Sequence, residues 1–204
     1  MRALLIVDMQ NDFMPKGPLA VPNADRTVSL INSLMPKFSL VIATQDCHPA
    51  DHVSFAQNHP GRKPGEMIKV RGIEQILWPV HCVQKTLGAE LTKDLDRSRI
   101  ETIFYKGTDK WIDSYSAFFD NARKRSTGLF DFLKLKGVTE LFVCGVATDY
   151  CVLYSVIDAL DLGLSVTVIT DACSGIDLSP GDVDAAYATM SEKGAHLVTS
   201  KALF

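Results

Sequence analysis

What this chain lacks narrows the reading first. Its densest apolar runs, such as residues 141–147, fall far short of the roughly 20 residues that cross a bilayer, so no membrane partner is expected. It lacks a surplus of either charge. With 21 Lys and Arg against 24 Asp and Glu, the formal net charge is -3, and nucleic acid is a poor candidate partner. No Cys-x-x-Cys pair is present, and five cysteines, an odd number, form no regular disulfide framework. No repeat or low-complexity stretch breaks the chain. Residues 1–7 read as a short buried strand rather than a signal peptide, because Asp8 interrupts the apolar run. The expected compartment is therefore the reducing cytoplasm, where each thiol is either core filling or chemistry.

What remains is ordinary globular material. Hydrophobic residues make up 47% of the 204 positions and charged residues 22%, enough to bury the core of one domain over residues 1–204. Strand signals alternate with helical ones. Strands are expected at 3–7, 40–43, 101–105, 141–144, 166–169 and 196–198. Helices are expected at about 23–35 with Asn23 as cap, 126–136 with Ser126 as cap, 149–162, and from Ser179 or Asp182 to Gly194. This alternation predicts an α/β fold whose parallel sheet is covered by helices on both faces. Residues 46–99 lack clear periodicity, and loops that long in compact domains are usually functional.

Ligands of open parallel sheets bind beyond the carboxyl ends of the strands. Asp8 follows the first strand, Asp46 and His48 the second, Lys106 the third, and residues 145–151 the fourth. Cys151 falls in the first turn of the next helix, where free N–H groups and a positive end favour thiolate. Lys106 adds a second positive charge, and Asp8 can take the thiol proton and return it to a leaving amine. A lone cysteine is more often core packing, and that reading is kept for Cys144 and Cys173. Each of Asp8 and Lys106 alone is equally well a turn cap or a solvated charge; their weight lies in converging on Cys151.

Asp46 and His48 stand two apart, so in extended chain their side chains share a face and can grip one ion. His81 can add a third ligand, leaving positions open for water or substrate. His52 and His59 are near in sequence, with His59 read as exposed. A mixed carboxylate and imidazole set suits one divalent metal ion, zinc first, with manganese or iron also suited.

These residues sit in stretches that run in order along nearly the whole chain: LIVDMQNDF at 5–13, DCHPADHVSF at 46–55, WPVHCV at 78–83, YKG at 105–107, YSAF at 115–118 and GVATDYCV at 145–152. Together they resemble the nicotinamidase branch of the isochorismatase-like hydrolases. The resemblance implies a three-layer α/β/α, Rossmann-like fold with a six-stranded parallel sheet. It implies a catalytic triad of Asp8, Lys106 and Cys151, metal ligands Asp46, His48 and His81, and His52 in some members. Walls for an aromatic ring at Phe13, Trp78 and Tyr115 follow from it, as do oxyanion donors on the backbone of Ala147 and Cys151 and a cis peptide between Val146 and Ala147. Asp12 is expected to orient Lys106 or a water. The implied reaction is hydrolysis of nicotinamide to nicotinate and ammonia in NAD salvage, with pyrazinamide as a side substrate. The implied partner is thus a small molecule, and self-association into a homo-oligomer is compatible with the sequence. Cys151 separates this reading from isochorismate hydrolysis, and the three metal ligands separate it from carbamoyl-type amidases. A non-catalytic metal-binding module is the rival of another class. Two positions depart from the pattern. Cys47 stands where many relatives carry an aromatic residue, and Tyr150, where some have His, is given no role.

Overall fold

The computed structural model describes residues 1–203. Its centre is a six-stranded, all-parallel sheet in the order β5-β2-β1-β6-β7-β8, formed by β1 (Arg2–Val7), β2 (Val41–Asp46), β5 (Thr102–Lys106), β6 (Glu140–Val146), β7 (Ser165–Ser174) and β8 (His196–Val198). The two central strands bury both faces: residues 3–7 of β1 and 141–146 of β6 are all buried, which is why they read as unbroken apolar runs. Four helices cover the sheet: α1 (Ala24–Leu34), α2 (Leu129–Leu135), α3 (Leu153–Asp161) and α4 (Asp182–Glu192). In α1 the inward stripe is Ala24, Thr27, Val28, Ile31 and Leu34.

The expected elements are present, with differences at their edges. Asn23 sits at the start of α1 in the left-handed region, and its side chain makes no capping bond. Helix α2 begins at Leu129 rather than near 126, because the hydroxyls of Ser126 and Thr127 accept from Gly128 and Leu129 N–H and hold a turn there instead. The segment 46–99 contains an antiparallel hairpin, β3 (Met67–Val70) and β4 (Ile73–Ile76). Its two turn residues, Arg71 and Gly72, both have positive φ, 51° and 88°, the conformation whose twist suits a two-residue hairpin. No helix among the described residues is long and apolar enough to cross a membrane.

The order of strands reverses beside β1. Chain from β1 goes outward through β2 to β5, then returns to β6 on the other side of β1. The carboxyl ends of β1, β2, β5 and β6 therefore flank one crevice, the place where such sheets bind ligands.

Candidate active site

Asp8 closes β1 in a left-handed conformation, φ 50°, uncommon for a non-glycine residue. It is held there by its N–H on Thr44 Oγ1 (3.2 Å) and by Thr44 Oγ1 donating back to its Oδ1 (2.7 Å). Lys106, the last residue of β5, is buried and reaches across β2. Its ammonium lies 2.8 Å from Asp8 Oδ2 and 2.6 Å from Asp46 Oδ1, donates to the Ser114 carbonyl at 3.0 Å, and stands 3.3 Å from Cys151 Sγ. Two anions around one ammonium raise its pKa well above the usual value, against its burial.

Cys151 lies in a π-helical turn, Thr148–Val152, that leads from β6 into α3. The preceding Val146–Ala147 peptide is cis, as the resemblance implied. Here the structure corrects the expectation of a thiolate. Burial drives the Cys151 pKa well up; Lys106 opposes this, but Asp8 and Asp46 add to it. Burial and the two carboxylates thus favour the protonated thiol. Burial lifts Asp8 itself to about 6; Lys106 pulls the other way and Asp46 pushes further up. An acid poised near neutrality beside a protonated thiol is a proton acceptor in waiting.

On the far side of Asp46 stand His48 and His81. His48 Nε2 lies 3.8 Å and His81 Nε2 4.0 Å from Asp46 Oδ2. The Nδ1 of His48 bonds to the Gly107 carbonyl at 2.9 Å, and that of His81 to the Pro79 carbonyl at 2.8 Å. Those carbonyls accept, so Nδ1 carries the proton and Nε2 offers a lone pair. Burial lowers the pKa of His48 to about 3 and of His81 to about 4, keeping both rings neutral. Two converging imidazole lone pairs and a carboxylate oxygen fit a divalent cation. Gly107 must be glycine: its φ is 64°, and a Cβ there would lie 2.3 Å from the His48 ring.

A scan against known families matches the Isochorismatase domain over residues 2–202. The chain belongs to the isochorismatase family. Among curated members it is 48% identical over 202 residues to a nicotinamidase of Escherichia coli, covering 97% of this chain and 94% of that one. Among solved structures of the family, a nicotinamidase/pyrazinamidase of Acinetobacter baumanii superposes with a TM-score of 0.96 at 44% identity, covering 100% of this chain and 98% of that one. A pyrazinamidase of Pyrococcus horikoshii in complex with zinc superposes at 0.79 with 36% identity, covering 97% and 98%.

Between the acid–ammonium–thiol group and the histidines lies a narrow cavity. Phe13, Trp78 and Tyr115 line it, together with Ala147, Cys151, Asp46 and His81. The sequence-derived site residues thus meet at one crevice, with Asp8, Lys106 and His48 behind its surface. Leu19, Asp113 and Ile176, not singled out in the sequence, line it too, as does Tyr150. Tyr150, given no role, packs edge-on against Trp78 at 4.9 Å and near Tyr115 at 5.5 Å. Its adjacency to Cys151 was the available signal; Leu19, Asp113 and Ile176 offered none. His52 is buried beside His48, ring centroids 4.3 Å apart, with Nδ1 on Ser54 Oγ and Nε2 without a hydrogen-bond partner among the described residues. His59, expected to be exposed, is half-buried, with Nε2 at 2.7 Å from the Val53 carbonyl. Cys47 faces away from the cavity into a separate groove with Gln84 and Tyr105, as alternation along a strand dictates.

Proposed function

We propose that this chain is a metal-dependent nicotinamidase, a single hydrolase domain that converts nicotinamide to nicotinate and ammonia in NAD salvage and takes pyrazinamide as a side substrate. One observation carries the reading. An aromatic-walled cavity has a thiol, backed by an acid and an ammonium, at one end and a trio able to hold a cation at the other, in a family whose members at 44–48% identity are named nicotinamidases.

Phe13, Trp78 and Tyr115 sandwich the ring and exclude water. Asp46, His48 and His81 would hold one divalent ion; the zinc of the Pyrococcus relative favours zinc, and the donor set also suits manganese or iron. When bound, such an ion would supply Lewis acidity at that end of the cavity, opposite Cys151. Asp8 accepts the Cys151 proton as sulfur attacks the carbonyl carbon, and Lys106 keeps the new charges together. The N–H groups of Ala147 and Cys151 receive the oxyanion, whose fixed donors cost no reorganisation. As the C–N bond breaks, Asp8 returns its proton to the departing nitrogen, releasing ammonia and leaving a thioester. Asp8 then takes a proton from water, which attacks the thioester carbon; nicotinate leaves and the proton returns to sulfur. Five cysteines, none of them in a disulfide, favour a reducing cytoplasm as the compartment.

The test is ammonia release from nicotinamide and pyrazinamide by freshly reduced, zinc-loaded protein, before and after chelation, with isochorismate in parallel. Release that chelation abolishes is the expected result. No ammonia from either amide, or cleavage of isochorismate instead, overturns the proposal.

A further inference from the structure

The geometry points to Asp12 as a positioning residue that fixes the spacing between the aromatic wall of the cavity and its cation-binding edge. The inference rests on the reading of His81 as a metal ligand. Asp12 lies in the single helical turn Asn11–Phe13 that follows β1, directly before the wall residue Phe13. Its side chain is aimed not at Lys106 but at the other end of the site, where its Oδ2 accepts the Cys82 N–H at 2.7 Å.

Cys82 directly follows His81 and holds φ 48°, a left-handed conformation that is strained for a non-glycine residue. A residue kept there needs outside restraint. Two hydrogen bonds provide it: its N–H to Asp12, and its carbonyl accepting from His48 N–H at 3.0 Å. Gln84 N–H then donates to the His48 carbonyl at 2.8 Å, so the two histidine-bearing segments are laced side by side. Asp12 fastens that lacing to the end of β1.

The same residue also reaches a second lining segment. Its carbonyl accepts the Leu19 N–H at 3.3 Å, and Leu19 lines the cavity beside Phe13. Phe13 in turn lies against His81, ring centroids 5.6 Å apart. The space around the carboxylate is tightly bounded: a Cβ at Gly88 would fall 2.2 Å from Asp12 Oδ2. What the site requires of Asp12 is a fixed acceptor oxygen, and its negative charge is secondary.

Asp12→Ala, Asp12→Asn and Gly88→Ala test this, with His81→Ala as reference. Zinc affinity is measured by competition with a chromophoric chelator, alongside KM and kcat for nicotinamide. Asp12→Ala is expected to weaken zinc roughly 10- to 100-fold, the range seen when a group supporting a metal ligand is lost. It should raise KM by a larger factor than it lowers kcat. Asp12→Asn keeps an acceptor oxygen and should recover zinc affinity to within a few fold. Gly88→Ala displaces the carboxylate without removing it and should weaken zinc as Asp12→Ala does, which decides the matter if Asp12→Ala fails to fold. Wild-type zinc affinity in Asp12→Ala or Gly88→Ala, with His81→Ala impaired, overturns the role of Asp12 alone. So does an Asp12→Asn protein as weak as Asp12→Ala. Wild-type zinc affinity in His81→Ala overturns the ligand assignment, and the inference falls with it.

Discussion

Oδ1 of Asp46 lies 2.6 Å from the ammonium nitrogen of Lys106, while its other oxygen faces the Nε2 atoms of His48 and His81. A single carboxylate is therefore shared between the group around the thiol and the group that can hold an ion. Lys106 belongs to both: it is the cation between two buried anions, Asp8 and Asp46.

Replacing Lys106 with Met should accordingly cost more than catalysis. Removing one partner of a buried pair strands the other, a loss of about 3–5 kcal/mol. Here two carboxylates would be stranded, and one takes up a proton instead, which moderates the loss. Denaturant unfolding of the metal-free protein at pH 7 should show a midpoint well below wild type, with the slope unchanged. A midpoint equal to wild type would mean the trio contributes nothing to folding.

Cys151→Ala removes the proposed nucleophile and leaves the aromatic walls in place. Turnover of nicotinamide should fall at least ~1,000-fold, in keeping with loss of a covalent route. Binding of nicotinate, followed calorimetrically, should stay within a few fold. Substantial turnover in this variant would take the thiol out of the reaction.

The acid side of the pH profile reports Asp8. Its pKa is raised to about 6 in the buried site, and it must be ionised to accept the thiol proton. A bound divalent ion can only lower that value. The kcat/KM for nicotinamide should thus be constant above about pH 7 and fall tenfold per unit on an acid limb at or below about 6. A limb centred above 7 would assign the base elsewhere.

The histidines set the acid stability of the metal-free protein. The folded pKa values of about 3 for His48 and about 4 for His81 lie below the ordinary 6.5. Between those values and 6.5 the unfolded chain binds protons that the folded one does not. Stability is therefore fully present above about 6.5 and is lost as pH falls toward 4. Asp8, raised rather than lowered, works in the opposite sense between about 4 and 6, one group against two. Melting temperatures of chelated protein should drop over this window, and His48→Asn should flatten the drop. A flat profile in the parent protein would contradict neutral, buried rings.

Gly107→Ala is a steric test of the metal edge. The added carbon meets the His48 ring and the backbone is held at φ 64°. The variant should melt lower and bind zinc at least tenfold more weakly, consistent with a displaced ligand whose support is lost. Zinc binding at wild-type strength would show that His48 is free to shift.

Much of this was legible in the sequence because it depends on local rules. The unbroken apolar runs of β1 and β6 could only be strands buried on both faces, and strand ends in a parallel sheet share one edge. Asp8, Lys106, Asp46 and His48 each follow or end a strand, so their meeting needed no coordinates. What was not legible depends on packing. The segment 46–99 hid the β3–β4 hairpin because its short strands are mostly half-exposed and Arg71–Gly72 is a weak turn signal. Cys151 has the sequence surroundings of a thiolate, yet the depth of its burial and the two carboxylates beside it reverse the direction. Leu19 and Ile176 reach the cavity from loops whose spacing carries no period. Ile176 arrives there because both oxygens of Asp149 accept backbone N–H groups, from Ile176 and Asp177, a pairing of residues nearly thirty apart.

The strand order has a consequence for the life of the chain. Asp8, Asp46 and Lys106 are all made within the first 106 residues, on or just after three strands that neighbour one another in the sheet. Cys151, the proposed nucleophile, follows β6, which pairs with the other edge of β1. During synthesis the charges therefore come first and the sulfur last, so reactivity is withheld until the sheet is closed around it. Cutting the chain between Lys106 and Glu140 should give two inert pieces whose activity returns only on reassembly.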